Sequence, residues 1–213
     1  MARIFKLTDS GLKADEEESL VRILGQEQVL IFPTETYYGL GGLGRFPSVY
    51  QKIFELKGRS ASKQLPFCAA DADMVLEFMD RPPAAFFSLA RAFWPGPLTL
   101  VLPAKKGLFP EMFPGQVQTM AVRVPSPDWL RQLIKKAGAL LISTSANLSG
   151  QPPLASFDEV YRLFSGRVEF FIDGGETPGE QPSTIIDLTG PEPVGRREGK
   201  IPFSEIWSIL FEA

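Results

Sequence analysis

Residues Val29 to Phe32 form an apolar run that stops at Pro33, and Thr34-Glu35-Thr36-Tyr37-Tyr38-Gly39-Leu40 follows at once. Four apolar residues closed by a proline read as a short buried strand, because Pro33 has no N–H to carry the ladder onward. A core strand that empties into hydroxyls, a carboxylate and glycines at 39, 41, 42 and 44 is either a capped loop or a site approached closely by backbone. The residue types alone leave both readings open. The theme recurs. Ala139-Leu140-Leu141-Ile142 empties into Ser143-Thr144-Ser145-Ala146-Asn147, and Ser183-Thr184 precedes Ile185-Ile186.

Between these runs, apolar periodicity and end signals predict helices at 15–25, 48–57, 72–79, 83–94, 127–137, 157–164 and 203–211. Gly58 and Gly138 fit C-caps and Asp71 an N-cap. Strands are expected at 29–32, 65–70, 98–102, 119–124, 139–142, 168–172, 184–188 and 193–198, with a proline- and glycine-rich connection over 103–115. In 119–124 the alternation puts Met120, Val122 and Val124 on a packed face and Ala121 and Arg123 on the other. Interleaved helices and strands, without a repeat or a linker composition, indicate an α/β fold. The expected architecture is a single domain over 1–213 on one twisted, mainly mixed sheet flanked by helices, with no C-terminal extension domain.

Composition narrows the chemistry. The chain has no histidine and a single cysteine, Cys68. That removes a His general base, Ser-His-Asp and Cys-His arrangements, His-ligated metals and a multi-Cys metal site. Cys68 lies within Leu65-Pro66-Phe67-Cys68-Ala69-Ala70 and reads as a packing residue. A net charge of −3 speaks against a dedicated nucleic-acid binder but leaves room for a local basic pocket. No apolar run approaches a bilayer span, and the N-terminus lacks the apolar core of a signal peptide, so a cytoplasmic protein with no membrane association is expected.

Two familiar patterns are discounted. Gly39-x-Gly41-x-x-Gly44 has no helix opening at its end and no acidic residue at the ribose position, which a dinucleotide fingerprint needs. Ser60-x-x-Lys63 with Ser145-Ala146-Asn147 lacks the Lys-Thr-Gly of the penicillin-recognising enzymes. No Walker A sequence is present. The cluster Lys57, Arg59 and Lys63, at a helix end and in a Gly/Ser/Ala loop, either converges on phosphates or is a solvated loop. Thr36, Ser143, Ser145 and Ser183 offer hydroxyls from separate segments at strand ends, a placement that suits ribose and phosphate oxygens.

Taken in order, several stretches resemble the YrdC-type threonylcarbamoyl-AMP synthase family. They are Pro33-Thr34-Glu35-Thr36 with Tyr38-Gly39-Leu40, Lys57-Gly58-Arg59 with Lys63-x-Leu65-Pro66, Trp94-Pro95-Gly96-Pro97-Leu98-Thr99, and Arg123-Val124-Pro125. Then come Ser143-Thr144-Ser145-Ala146-Asn147-x-Ser149-Gly150, Ser183-Thr184-Ile185-Ile186-Asp187 and Arg197-Glu198-Gly199. The resemblance implies one α/β domain around a large, positively lined cavity that joins L-threonine, bicarbonate and ATP into threonylcarbamoyl-AMP and releases pyrophosphate.

By matched position it implies that Lys57 and Arg59 act in catalysis and bind ATP with Lys63, Ser145, Asn147 and Arg197. Thr36, Arg123, Ser143 and Ser183 would line the threonine site. Mg2+ would arrive with ATP, with no metal held by protein side chains alone. Downstream proteins would transfer the product to tRNA, and weak RNA contact is a further partner class. Ser60 departs from the family's usual proline, and Tyr37 from a smaller apolar residue. A nucleotide- or RNA-binding relative without synthase activity, and a carbamoyl-adenylate-forming relative, are the alternatives.

Overall fold

The computed structural model describes residues 2–60, 64–105 and 119–211. In chain order the elements are β1 (Arg3–Lys6), α1 (Ala14–Gly25), β2 (Leu30–Phe32), β3 (Gly39–Gly41), α2 (Pro47–Lys57), β4 (Phe67–Cys68), α3 (Ala72–Leu76) and α4 (Ala84–Phe93). They continue with β5 (Leu98–Pro103), β6 (Thr119–Arg123), α5 (Asp128–Ala137), β7 (Leu141–Ile142), β8 (Thr144–Ser145), α6 (Phe157–Phe164), β9 (Phe170–Asp173), β10 (Thr184–Asp187), β11 (Val194–Arg197) and α7 (Phe203–Phe211).

The mixed α/β class is as expected, but the strands do not form one sheet. They form a sheet ordered β1-β9-β2-β3-β8 and another ordered β11-β10-β5-β6-β4-β7. Both mix parallel and antiparallel pairs: β2 runs parallel to β9 and antiparallel to β3, while β6 runs antiparallel to β5 and parallel to β4. The sheets meet at a seam just after β3. There the Ile142 N–H donates to the Gly42 carbonyl at 2.8 Å and the Gly44 N–H to the Leu140 carbonyl at 2.9 Å.

That seam explains the glycines. A Cβ at Gly41 would lie 1.7 Å from the Ile142 carbonyl oxygen, and one at Gly44 would lie 2.7 Å from the Phe67 ring. The backbone approach made possible here is chiefly to other protein atoms rather than to a ligand.

Alternation along the strands divides the core in two. Ile31, Phe67, Val122 and Ile142 face one apolar cluster together with residues of α2, α4, α6 and α7. Leu30, Phe32, Cys68 and Leu141 face the other, covered by α1 and α5. The helix ends follow their signals: Gly58 and Gly138 adopt left-handed φ values of 59° and 63°, and the Asp71 carboxylate accepts the Met74 N–H at 2.8 Å. Past Leu76 the chain tightens into i→i−3 bonds, Phe78 N–H to Val75 O and Met79 N–H to Leu76 O, so α3 is shorter than expected. The connection at 106–118 lies outside the described residues, among which no helix is long and apolar enough to cross a membrane.

Candidate active site

A cavity of about 490 Å³ opens where the two sheets part. Gly39 of β3 and Thr144 and Ser145 of β8 wall it from one sheet. Phe67, Thr99, Ala121, Arg123, Ile185 and Arg197 wall it from β4, β5, β6, β10 and β11 of the other. Ala121 and Arg123 face the cavity while Met120, Val122 and Val124 are buried in the core, as the alternation in β6 predicts.

Of the expected site residues, Thr36, Arg59, Arg123, Ser143, Ser145, Asn147, Ser183 and Arg197 line this one cavity. Lys63 lies outside the described residues. Three guanidiniums and many hydroxyls meet there, and none of the described lining residues is acidic. The positively lined cavity is therefore present.

The hydroxyls are fixed by the chain around them. Thr34 Oγ1 donates to the Tyr37 carbonyl at 2.7 Å and accepts the Thr36 N–H at 3.2 Å, which sets the turn after β2. The Thr36 and Thr34 hydroxyls are 3.0 Å apart. On the far wall the Ser183 hydroxyl is 2.8 Å from that of Thr99. Arg197 donates Nε and Nη2 to the Ser183 carbonyl at 3.0 and 2.8 Å, and Nη2 also to Ser183 Oγ at 3.1 Å. Ser145 Oγ donates to Asn147 Oδ1 at 2.6 Å.

Lys57, also among the expected site residues, lies off the cavity wall. It is 3 % exposed and absent from the cavity wall. As the last residue of α2 it turns its Nζ onto the loop after β8, donating to the carbonyls of Ser145 and Asn147 and to Asn147 Oδ1. Its own carbonyl accepts the Ser149 N–H at 2.8 Å. All three ammonium hydrogens have acceptors within the protein, so Lys57 holds the Ser145–Asn147 loop in place instead of presenting a charge to the cavity. Burial, then the charge of Arg59, pulls its pKa down to about 8. The Asn147 amide is similarly occupied, donating to the carbonyls of Leu148 and Gln151.

Arg59 does face the cavity. Its Nη2 donates to the Gln64 carbonyl at 2.9 Å, while Nε is buried without a hydrogen-bond partner among the described residues. Burial lowers its pKa, and the pKa of Arg197 is lowered by burial and then by the charge of Arg123.

Sequence reasoning missed the partner of Arg123. Its Nη1 donates to Glu35 Oε1 at 2.7 Å and to Thr36 Oγ1 at 3.5 Å, in an ion pair whose side chains are only 10 % and 12 % exposed. Burial opposes the Arg123 charge, but Cys68 and Glu35 beside it hold its pKa above the ordinary arginine value. The Cys68 thiol is fully buried and itself pushed up by burial, and the carboxylate paired with Arg123 is that of Glu35. The signal was a carboxylate between two threonines at the end of a core strand. A partner 88 positions away cannot be read from local spacing.

The Sua5/YciO/YrdC family model, described as telomere recombination, matches residues 22–199. A threonylcarbamoyl-AMP synthase of Pyrococcus abyssi is 38 % identical over 200 residues, covering 92 % of this chain and 58 % of that protein. One from Bacillus subtilis is 32 % identical over 188 residues, covering 88 % and 54 %. The chain thus spans a little over half the length of these two relatives. P. abyssi Sua5 complexed with L-threonine superposes with a TM-score of 0.91 at 34 % identity, over 99 % of this chain and 62 % of that one. E. coli YciO shares the fold with a TM-score of 0.84 at 24 % identity, over 94 % and 97 %. The chain belongs to the Sua5/YciO/YrdC family.

Proposed function

We propose that the protein is an L-threonylcarbamoyladenylate synthase, forming threonylcarbamoyl-AMP and pyrophosphate from L-threonine, bicarbonate and ATP for the threonylcarbamoyladenosine modification of tRNA. The observation that carries this is the gathering of Arg59, Arg123 and Arg197 with hydroxyls from four segments around one cavity between the sheets. Relatives named threonylcarbamoyl-AMP synthase and a Sua5 structure complexed with L-threonine support it.

In this reading Arg59, whose Nε has no hydrogen-bond partner among the described residues, and Arg197 neutralise the phosphates of ATP, and Ser145 contacts the nucleotide. Lys57 and Asn147 keep the Ser145 loop in register. Arg123 grips the threonine carboxylate, with Thr36, Ser143 and Ser183 offering hydroxyls beside it. Magnesium belongs to the nucleotide substrate and supplies charge neutralisation on its phosphates. A carbamate formed from the threonine amine and bicarbonate is already an anionic nucleophile. Its attack on the α-phosphate asks for positioning and charge neutralisation more than for a histidine base, which agrees with a chain that has none. The product would pass to proteins that transfer it to tRNA.

The test is pyrophosphate release with each substrate left out in turn. Release that needs ATP, bicarbonate and threonine together is expected. Equal release without threonine, or none under any condition, refutes the assignment.

A further inference from the structure

Tyr37, Tyr38 and Phe67 are the aromatic residues among the described lining of the cavity, and packing accounts for two of them. Phe67 and Tyr38 are buried in the larger apolar cluster. The Tyr38 hydroxyl donates to the Gly175 carbonyl at 2.9 Å and accepts the Gly174 N–H at 3.1 Å. Tyr37 differs on each count. It is half-buried, and among the described residues its hydroxyl has no hydrogen-bond partner and its ring no aromatic partner. A large apolar face is thus left uncovered inside a cavity otherwise rich in guanidiniums and hydroxyls.

The backbone holds that ring in place. The Thr36 carbonyl accepts the Gly179 N–H at 2.8 Å, the Tyr37 carbonyl accepts the Thr34 hydroxyl at 2.7 Å, and the Tyr38 N–H donates to the Leu154 carbonyl at 3.0 Å. Only two side-chain torsions remain, so a ligand that covers the ring costs little conformational entropy.

The neighbouring chain indicates which part of a ligand meets it. Gly39 faces Ser145 in the β3–β8 pair, and the Ala146 N–H donates to the Tyr38 carbonyl at 2.8 Å. Tyr37 therefore lies beside the Ser145–Asn147 loop. In the synthase reading that loop contacts the nucleotide. The base is the one part of a nucleotide that is flat and uncharged, and an aromatic face binds it by stacking.

We propose that Tyr37 is the base-stacking residue of the nucleotide site, its ring lying against the face of the adenine. The proposal rests on the synthase reading for the placement of the nucleotide beside Ser145, and its test separates the two.

The probes are ATP with magnesium and inorganic tripolyphosphate, each titrated calorimetrically without threonine so that no turnover occurs, and L-threonine titrated alone. Tyr37→Leu keeps much of the bulk but has no flat face. It should bind ATP at least ~5-fold more weakly than wild type, with tripolyphosphate and threonine affinities unchanged. Tyr37→Phe should match wild type in all three. By NMR, the H2 and H8 protons of bound ATP should show NOEs to tyrosine ring protons in wild type, replaced by NOEs to phenylalanine ring protons in Tyr37→Phe. Wild-type ATP affinity in a folded Tyr37→Leu variant overturns the proposal, as does a loss shared equally by tripolyphosphate or confined to threonine. If the Leu variant does not fold, the NOE comparison decides. Wild type that binds ATP with these NOEs but releases no pyrophosphate with all three substrates refutes the synthase reading and leaves Tyr37 on the base. Wild type that binds no ATP refutes both.

Discussion

Lys57 and Arg59 sit two positions apart and meet different surroundings. The sequence shows both as cations in a small-residue loop, and the family resemblance gives both to phosphates. Local spacing cannot show that the Lys57 ammonium folds back onto carbonyls 88 and 90 positions away, because those contacts exist only once β8 is laid beside the end of α2. Lys57→Met keeps the stem and removes the donors, leaving buried acceptors unpaired, and should cost about 1–3 kcal/mol of stability. Its pH dependence has a definite sign. The folded-state pKa, about 8, lies below the ordinary 10.5. Between those values the unfolded chain therefore binds more protons, so the stability of wild type relative to Lys57→Met should rise as pH climbs through that window and be flat below it. Urea midpoints of the two proteins at pH 7 and pH 10 check this, and a gap that narrows with pH contradicts it. Arg59→Ala should leave the urea midpoint near wild type but lose a charge-assisted phosphate contact, about 1.5–3 kcal/mol in kcat/KM for ATP. Unchanged ATP kinetics would return Arg59 to a solvated-loop role.

At the scale of elements, the helices were legible because periodicity, Asp71, Gly58 and Gly138 all act locally. The strands β1, β3 and β8 were not. β1 turns only Phe5 inward, while Gly39–Gly41 and Thr144–Ser145 are glycine and hydroxyl segments whose composition argues against strand. They are strands because partners hold them: β9 for β1, and β2 and β8 around β3. The same blind spot concealed the second sheet, since the seam depends on glycine backbones touching rather than on apolar side chains. Gly41→Ala tests the seam directly. Its Cβ would sit 1.7 Å from a backbone oxygen, which no rotamer change relieves, so the sheets must part. A loss above about 3 kcal/mol is expected, read as a drop in urea midpoint. Gly25→Ala is the control, because a Cβ there meets nothing within 4 Å.

The molecule as a whole is two sheets that meet at a seam after β3, and both sheets line the cavity. The arginines of its wall differ in their surroundings: Arg59 has a guanidinium nitrogen with no hydrogen-bond partner among the described residues, and Arg123 holds a carboxylate. Substrates that use different arginines should be separable by mutation, and Arg123→Lys is the sharpest case. Arginine keeps Nη1 on Glu35 and Thr36, and a guanidinium fork can donate two parallel bonds to a planar carboxylate. Lysine offers one ammonium as a point charge on a shorter reach, and the resident Glu35 competes for it. The expected outcome is a threonine KM raised at least ~10-fold, about 1.4 kcal/mol, with the ATP KM little changed. Threonine is varied at saturating ATP, then ATP at saturating threonine. A defect confined to the ATP titration would move Arg123 to the nucleotide site, and equal defects in both would mean that the two substrates' sites are not independent. A variant with wild-type constants in both titrations would leave Arg123 as the structural partner of Glu35 alone.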